Sequence, residues 1–161
     1  MHAPELPPTL NVSIRRANRE DLVEIIALFA SDTIGGHADT TAPDALPDYL
    51  AAFERIAAIP NVTLYVAELD GAVVGTFQTT LLTTLSGRGS SNLLIEAVQT
   101  RKDMRGRGIG AMMMRFAVDT ARAQGLSKVQ LSSNKERIDA HRFYERVGFE
   151  PSHLGFKIRL K

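Results

Sequence analysis

A glycine-rich segment that leads into an apolar run is the part of the sequence whose spacing most directly predicts chemistry. It reads RKDMRGRGIGAMMMRF, from Arg101 to Phe116, with alternate positions 106, 108 and 110 occupied by glycine. A helix start exposes unpaired backbone N–H groups and the positive end of the helix dipole, and glycines there let an anion approach the backbone. The segment is therefore a candidate phosphate-binding loop. The alternative is a solvated strand-to-helix turn whose arginines bind nothing specific.

Two better-known phosphate loops do not fit this segment. GRGIGA formally satisfies the dinucleotide pattern G-x-G-x-x-G/A, but the window about 20 residues later, GLSKVQLSS, lacks the acidic residue that the pattern requires. The Walker pattern G-x-x-x-x-G-K-(S/T) is absent from the sequence. Nucleotide hydrolysis is therefore not expected.

The elements that must hold this loop follow from hydrophobic periodicity and turn residues. The first predicted helix follows Asn18 as N-cap, and the second begins near Asp44 or Pro47 and stops before Pro60. Asp70-Gly71 predicts a hairpin. Two more helices are predicted, from about Gly108 to Gln124 and from about Ile138 to Val147. Strands are predicted over NVSIRRA, TLYVAEL, AVVGTFQTTLL, NLLIEAVQT, KVQLSS and HLGFKIRL, which gives the order β-α-α-β-β-β-α-β-α-β.

Composition limits the classes of function. The chain has 161 residues, of which 44% are hydrophobic and 23% charged, and this predicts one domain over residues 1–161 with residues 1–11 loosely attached. A formal net charge of +1 provides no general attraction for nucleic acid or for a membrane surface, so neither partner is expected. Cysteine is absent, which excludes a thiol nucleophile. No apolar run is long enough to span a bilayer, and a cytoplasmic location is expected.

Two motifs together carry a family resemblance. Arg105, Gly108 and Gly110 occupy the defined positions of (R/Q)-x-x-G-x-(G/A) after a strand. In RIDAHRFYERVGF, the later motif N-x-x-A-x-x-x-Y-x-x-x-G-F is matched at Ala140, Tyr144, Gly148 and Phe149. In both respects the sequence resembles the GNAT superfamily of acetyl-CoA-dependent N-acetyltransferases, from about residue 12 to residue 160.

The resemblance implies a fold and a cofactor site. The implied fold is α/β (α+β), a mixed central sheet of about six to seven strands with helices on both faces and with the fourth and fifth strands splayed. Acetyl-CoA is the implied co-substrate, and no metal is expected. Arg137 stands where the family motif has asparagine, and Asn134 is the nearest substitute. The implied cofactor-binding residues are Val98, Gln99 and Thr100 at the strand edge, Arg105, Gly106, Arg107, Gly108, Ile109, Gly110 and Ala111 in the loop, and Asn134 and Tyr144.

Two residues are candidates for proton transfer. Glu96 interrupts the apolar strand LLIEAV, is expected on the same face as Val98 and Thr100, and as a buried carboxylate would take the proton of the attacking amine directly or through water. The alternative for Glu96 is a solvent-facing or arginine-paired carboxylate. Tyr144 is the tyrosine of the family motif, and its phenol would protonate the leaving CoA thiolate. The alternative is a packing contact beside Phe143 and Phe149.

The acceptor is not readable from the sequence. The irregular segments Ser31 to Pro43, Ser86 to Asn92 and Pro151 to Gly155 are expected to form its pocket, with Asp32, His37, Asp39 and Arg88 in them. His37, His141 and His153 are more typical of solvated histidines, and Met112 to Met114 of core residues. The predicted reaction is direct acetyl transfer in a ternary complex to a small-molecule or peptide primary amine. A homodimer is left open. The alternative function is a non-catalytic module that senses acyl-CoA.

Overall fold

The computed structural model describes residues 10–34 and 37–161, and the expectation of a loosely attached N-terminus concerns mainly residues 1–9, which lie outside them. Short 3-10 turns precede the first, second and fourth helices. The main elements in chain order are β1 (Val12–Arg16), α1 (Leu22–Ala30), α2 (Leu46–Ala58), β2 (Val62–Leu69), β3 (Ala72–Thr83), the helical turn α3 (Ser86–Gly89), β4 (Ser91–Thr100), α4 (Ile109–Ala123), β5 (Lys128–Leu131) and α5 (Ile138–Arg146).

The strands form one mixed sheet in the order β1-β2-β3-β4-β5. The first three pairings are antiparallel, and β5 joins β4 in parallel. The parallel pairing needs a crossover, which α4 supplies. The glycine-rich segment therefore belongs to the crossover that connects β4 to β5, the parallel pair at one edge of the sheet.

Helices cover both faces of this sheet, as expected. On one face α1 and α2 pack around a cluster that includes Ile25, Leu28 and Val66. On the other face α4 and α5 cover a larger cluster that contains Phe77 and Met113. Met113 and Met114 are fully buried there, which confirms that they are core residues.

Local chemistry explains where elements begin and turn. Asn18 and Asp21 form a capping box, in which the Asn18 amide oxygen accepts from the Asp21 N–H and the Asp21 carboxylate accepts from the Asn18 N–H. The α1 helix follows at once, as predicted. Asp70 and Gly71 both have positive φ, 51° and 80°, as the predicted hairpin requires.

The fold class is confirmed, but the strand count and the last strand are not. Five strands are present among the described residues, not six to seven, and the predicted strand over HLGFKIRL is wrong. Residues 150–161 carry the alternation of a strand but pair with no strand among the described residues, and a strand exists only where its backbone has a partner. No helix within residues 10–34 and 37–161 is long and apolar enough to cross a membrane.

Candidate active site

The glycine-rich segment forms a tight turn directly before α4. Gly106 and Gly108 have φ values of 73° and 85°, in the left-handed region that favours glycine. The Gly108 carbonyl accepts the N–H of Met112 at 3.0 Å and so starts the helix. A Cβ added at either glycine would meet no other group within 4 Å, so the space directly beside the turn is open. The predicted loop before a helix is confirmed.

The turn presents unpaired donors to this open space. The N–H groups of Ile109, Gly110 and Ala111 donate to no acceptor among the described residues, as expected for the first turn of a helix. The first turn also contains no acidic residue. The positive end of α4 is therefore free to bind an anion, and the donor set fits a pyrophosphate.

Two arginines of the turn are held by local contacts. Arg105 Nε donates to the Thr100 carbonyl at 3.3 Å, and Arg107 Nη1 lies 3.2 Å from the Met104 sulfur. Both side chains remain exposed. Each guanidinium therefore keeps further N–H donors for a phosphate ligand.

The neighbouring strands separate as the resemblance implied. β4 and β5 pair only from Asn92 with Lys128 to Ile95 with Leu131, whereas β4 continues to Thr100. From Glu96 onward the β5 side of β4 has no strand partner among the described residues. We call the space beside this unpaired stretch the gap between β4 and β5; the stretch leads towards the glycine turn, and Val98, Gln99 and Thr100 are half-buried along it.

A bulge in β4 changes the predicted orientation of its side chains. The register with β3 shifts between Thr76 and Gln78, and Ala97 has a φ of 52°. Val98 consequently packs against the core cluster on the α4 and α5 face. The expectation that Glu96 lies on the same face as Val98 is wrong, because the extra residue at Ala97 breaks the alternation of the strand.

Glu96 is exposed, so the expected burial of its carboxylate is also wrong. The side chain lies at the point where β4 and β5 separate, and it forms no ion pair among the described residues. Its assignment as a base stays a prediction. An exposed carboxylate there would act in contact with water.

Tyr144 is half-buried on α5 between two phenylalanines. Its ring centroid lies 5.1 Å from that of Phe143 and 5.8 Å from that of Phe149. Burial raises the pKa of the Tyr144 phenol above its ordinary value of 10.0, and the nearby charge of Arg137 offsets part of that rise. None of the described residues hydrogen-bonds the hydroxyl, so ring packing holds the phenol in position. Because its pKa is raised, the phenol stays protonated near neutral pH.

A polar cluster that the sequence did not predict joins three elements beside this gap. Arg137, just before α5, donates to Asp32 Oδ1 at 3.1 Å and also to Asp32 Oδ2 and the Ile34 carbonyl. Gln99 Nε2, on β4, donates to Asp32 Oδ2 at 2.9 Å. Burial alone would raise the pKa of Asp32, but these hydrogen bonds and the Arg137 charge hold that pKa below its usual value. Asp32 is therefore ionised near neutral pH.

Arg137, which stands where the family motif has asparagine, supplies most of the hydrogen bonds of this cluster. It ties the start of the 31–43 segment to α5. No local pattern could have revealed the pair, because Asp32 and Arg137 lie 105 residues apart in the chain.

The remaining candidates have local partners or face solvent. The side-chain oxygen Oδ1 of Asn134 accepts the Glu136 N–H at 3.0 Å, and the backbone carbonyl oxygen of Asn134 lies 2.8 Å from His141 Nε2. The exposed His153 ring lies 2.7 Å from the Ser152 hydroxyl. Pro151 to Gly155 is an exposed segment, and its part in an acceptor pocket stays a prediction. His37 and Arg88 are also exposed.

The second part of the 31–43 segment is held by α2. Tyr49 donates its hydroxyl to Asp39 Oδ1 at 2.8 Å and accepts the Thr40 N–H at 3.1 Å. One end of the 31–43 segment is therefore held by Arg137 and the other by Tyr49. Gly35 and Gly36 lie outside the described residues.

Sequence and structure comparisons place these features among known proteins. The chain is 36% identical to the aminoalkylphosphonate N-acetyltransferase of Salmonella typhimurium over 97 residues. These residues make up 60% of this chain and 62% of that protein. The matched part is therefore less than two thirds of that curated relative.

Solved structures match over nearly the whole chain. A transcriptional regulator from Bacillus halodurans is 35% identical with a TM-score of 0.88, covering 93% of this chain and 100% of that one. A structure described as a putative acetyltransferase from Agrobacterium tumefaciens is 30% identical with a TM-score of 0.75, and the match covers 91% of this chain and 99% of that one. The profile of the Acetyltransferase (GNAT) family matches residues 22–149. The chain therefore belongs to the GNAT acetyltransferase family.

Proposed function

We propose that the protein transfers an acetyl group from acetyl-CoA to a primary amine of a small molecule or peptide, by direct attack in a ternary complex. The observation that carries this proposal is the set of N–H groups at the start of α4 that have no acceptor among the described residues, in the crossover that follows the unpaired end of β4. Family membership supports the same conclusion. Acetyl-CoA would supply an activated acyl thioester.

The chain offers two regions to hold acetyl-CoA. The backbone from Arg105 to Ala111 would bind the pyrophosphate, where helix N–H groups and two arginines meet. The free edge of β4 from Val98 to Thr100 would pair with the pantetheine amides as an added strand would. The side-chain oxygen of Asn134 is engaged in a local turn, so any contribution it makes would come from its amide N–H groups.

Proton transfer is assigned to Glu96 and Tyr144. An amine with a pKa of about 10 is mostly protonated at neutral pH, so a base must remove a proton before the amine can react. Glu96 would do so through water, in keeping with its exposure. Tyr144 would hold a proton on its phenol oxygen and give it to the leaving thiolate. Its raised pKa keeps that proton available across neutral pH.

The acceptor would bind on the α1 side of the gap. The 31–43 segment begins there at the Asp32 and Arg137 pair, and the ionised Asp32 places a carboxylate close to Gln99 on β4. The Salmonella relative is named for an amine that also carries a phosphonate. A small amine with a second polar group is therefore the first acceptor class to test. A cytoplasmic location stays a prediction.

The direct test is a screen of amines for CoA release from acetyl-CoA. A thiol-reactive dye reports released CoA without background from the protein, because the chain contains no cysteine. We expect amine-dependent release with at least one small amine. The matched control omits the amine. Tight acetyl-CoA binding without transfer to any small amine or peptide would instead favour the acyl-CoA sensor, and absence of binding would overturn both functions.

A further inference from the structure

Two glycines at the start of α4 differ in what a side chain at each would meet. Gly108 has a φ of 85°, and a Cβ added there would meet no group within 4 Å. Gly110 lies inside α4 and is not among the residues with positive φ, so its backbone conformation does not require glycine. A Cβ added at Gly110 would lie 3.0 Å from Cζ and 3.4 Å from Cε2 of Phe143. The close approach of the Phe143 ring is therefore a reason for glycine at this position.

The α5 helix, which carries Phe143, is held by few apolar contacts. None of its nine residues, Ile138–Arg146, is fully buried. Phe143 and Tyr144 are half-buried and pack against the core cluster on the α4 and α5 face. The contact between Phe143 and Gly110 joins this helix directly to the first turn of α4. The position of α5 relative to the glycine turn therefore depends on this contact.

Phe143 also contacts Tyr144, the proposed proton donor. The two ring centroids are 5.1 Å apart, and the ring planes are tilted by 56°. Phe149 packs edge-on against the Tyr144 ring, with the centroids 5.8 Å apart. No described residue hydrogen-bonds the Tyr144 hydroxyl, so these rings determine where the phenol oxygen lies. A displacement of the Phe143 ring is therefore passed on to Tyr144.

We propose that Phe143 is a positioning residue that acts through Tyr144, because its ring packs on Gly110 and so sets the place of the phenol relative to a cofactor held by the glycine turn. The N–H of Gly110 is one of the free donors of that turn, while its missing Cβ faces Phe143. As the C–S bond breaks, the phenol gives its proton to the leaving sulfur, and the proton taken up at Glu96 returns to the phenolate through water. Such a transfer requires the two heavy atoms to lie within about 2.6–3.2 Å of each other.

This inference rests on the proposed acetyl transfer, since Phe143 has a role in it only through the proton on Tyr144. The packing of Phe143 between Gly110 and Tyr144 does not depend on the reaction. One of the tests below therefore uses the protein without any acceptor amine.

The first test adds one methyl group at the contact. Gly110→Ala keeps the backbone N–H, so the Kd for acetyl-CoA, measured by calorimetry, should stay unchanged. The added Cβ must displace the Phe143 ring by roughly 0.5 Å, because 3.0 Å is shorter than the usual contact of about 3.5–4.0 Å between carbon atoms. We expect kcat to fall about 10-fold through misplacement of the phenol. The loss should be smaller for acyl donors whose leaving thiol is more acidic.

Arg142→Gln is the matched control for this variant, because it changes an exposed residue of the same helix. Its kcat should equal that of wild type. A wild-type kcat in Gly110→Ala, or a loss of equal size for two donors of different thiol pKa, would overturn the proposal.

The second test separates positioning of Tyr144 from a general loosening of α5. Phe143→Leu removes the end of the ring that the new Cβ of Gly110→Ala meets, so the losses in kcat of the two single variants should not multiply in the double variant. In a Tyr144→Phe background, Gly110→Ala should cost no further activity, because the proton that the contact positions is gone. Losses that multiply in both combinations would assign the effect to α5 as a whole and refute the positioning role.

The third test follows the ring of Tyr144 directly by NMR with ring-labelled tyrosine. The chain has three tyrosines, and Tyr144→Phe identifies the signals of Tyr144. Gly110→Ala should shift these signals and leave those of Tyr49, on α2, unchanged. Phe143→Leu should lower the pKa of the Tyr144 phenol towards 10.0, because burial is what raises it.

This measurement distinguishes failure of the inference from failure of the proposed function. Tyr144 signals that stay at their wild-type positions in Gly110→Ala would overturn the inference, whatever the activity of the protein. Shifted Tyr144 signals in a protein that acetylates no amine would support the packing link and overturn the reaction assigned to it.

Discussion

At the scale of single residues, the two proton-transfer candidates have different environments. Glu96 faces solvent where two strands part, whereas Tyr144 is packed between aromatic rings with a raised pKa. A base that works through water and an acid that must stay protonated call for these different surroundings. The contrast gives each residue its own test.

Glu96→Gln should remove the base and keep the shape of the side chain. We expect kcat/KM to fall by roughly 10²–10⁴-fold near neutral pH and to recover as the pH approaches the amine pKa, about 10, because the free amine needs no base. Acetyl-CoA affinity, measured by calorimetry, should not change. A near-normal rate at every pH would assign the base to water or to another residue, with His37 and His153 next to be tested.

Tyr144→Phe should leave a defect that high pH does not repair. Its phenol pKa lies above 10.0, so the wild-type enzyme keeps this acid through neutral and mildly alkaline pH and loses it only above that value. The variant lacks the proton at every pH. The defect should shrink with acyl donors whose leaving thiol is more acidic, because such a thiolate needs less protonation. Equal defects for two donors of different thiol pKa would argue that Tyr144 acts by packing alone.

At the scale of elements, Arg137 connects α5 to the segment after α1. Removing its charge in Arg137→Gln should raise the KM for the amine and speed amide hydrogen exchange in residues 31–34, because Asp32 and the Ile34 carbonyl lose the hydrogen bonds from the guanidinium. The Kd for acetyl-CoA should stay unchanged. Arg142→Gln on the same helix is the control, since its ion pair with Asp139 is exposed. Equal effects in both variants would indicate a general weakening of α5.

The α4 helix allows a matched test of the phosphate loop. Gly108→Asp and Gly125→Asp place the same charged side chain at opposite ends of this helix, at φ values of 85° and 68°, and neither Cβ meets another group within 4 Å. Both should cost about 1 kcal/mol or more of stability through backbone strain. Only Gly108→Asp should abolish acetyl-CoA binding in calorimetry, because its carboxylate occupies the anion site. Unchanged binding in Gly108→Asp would remove the basis for the proposed function.

The sequence predicted these elements where local rules decide them. Periodicity and capping located α1, α2 and α4, the Asp70-Gly71 hairpin and the glycine turn, since each depends on residues close together in the chain. The contact between Asp32 and Arg137 could not be predicted, because it depends on how α1 and α5 meet. The predicted burial of Glu96 was wrong because the bulge at Ala97 arises only when β3 and β4 pair, and the sequence of β4 alone does not reveal it. The terminal strand was wrong for the same kind of reason: alternation predicts a strand, but not its partner.

At the scale of the whole molecule, one ion cluster links the edge of the sheet to the start of α1. Arg15 on β1 donates to both carboxylate oxygens of Asp21, at 2.7 and 2.8 Å, and to Glu68 on β2 at 2.6 Å. The Asp21 side chain is only 7% exposed. The hydrogen bonds from Arg15 are the main reason that the pKa of Asp21 is lowered. This cluster should therefore make stability depend on pH.

Asp21→Asn should lower the free energy of unfolding at about pH 7 by roughly 1.5–3 kcal/mol, the range for hydrogen bonds to charged groups. A carboxyl group with a lowered folded pKa stabilises the fold above its unfolded pKa, about 3.9, and loses that effect as the pH falls through the folded pKa. Urea unfolding curves of wild type and variant should thus converge in acid. Asp119→Asn, which removes an exposed pair with Arg122, should match wild type throughout. A constant difference between Asp21→Asn and wild type from neutral pH to about pH 2 would assign the effect to packing and not to charge.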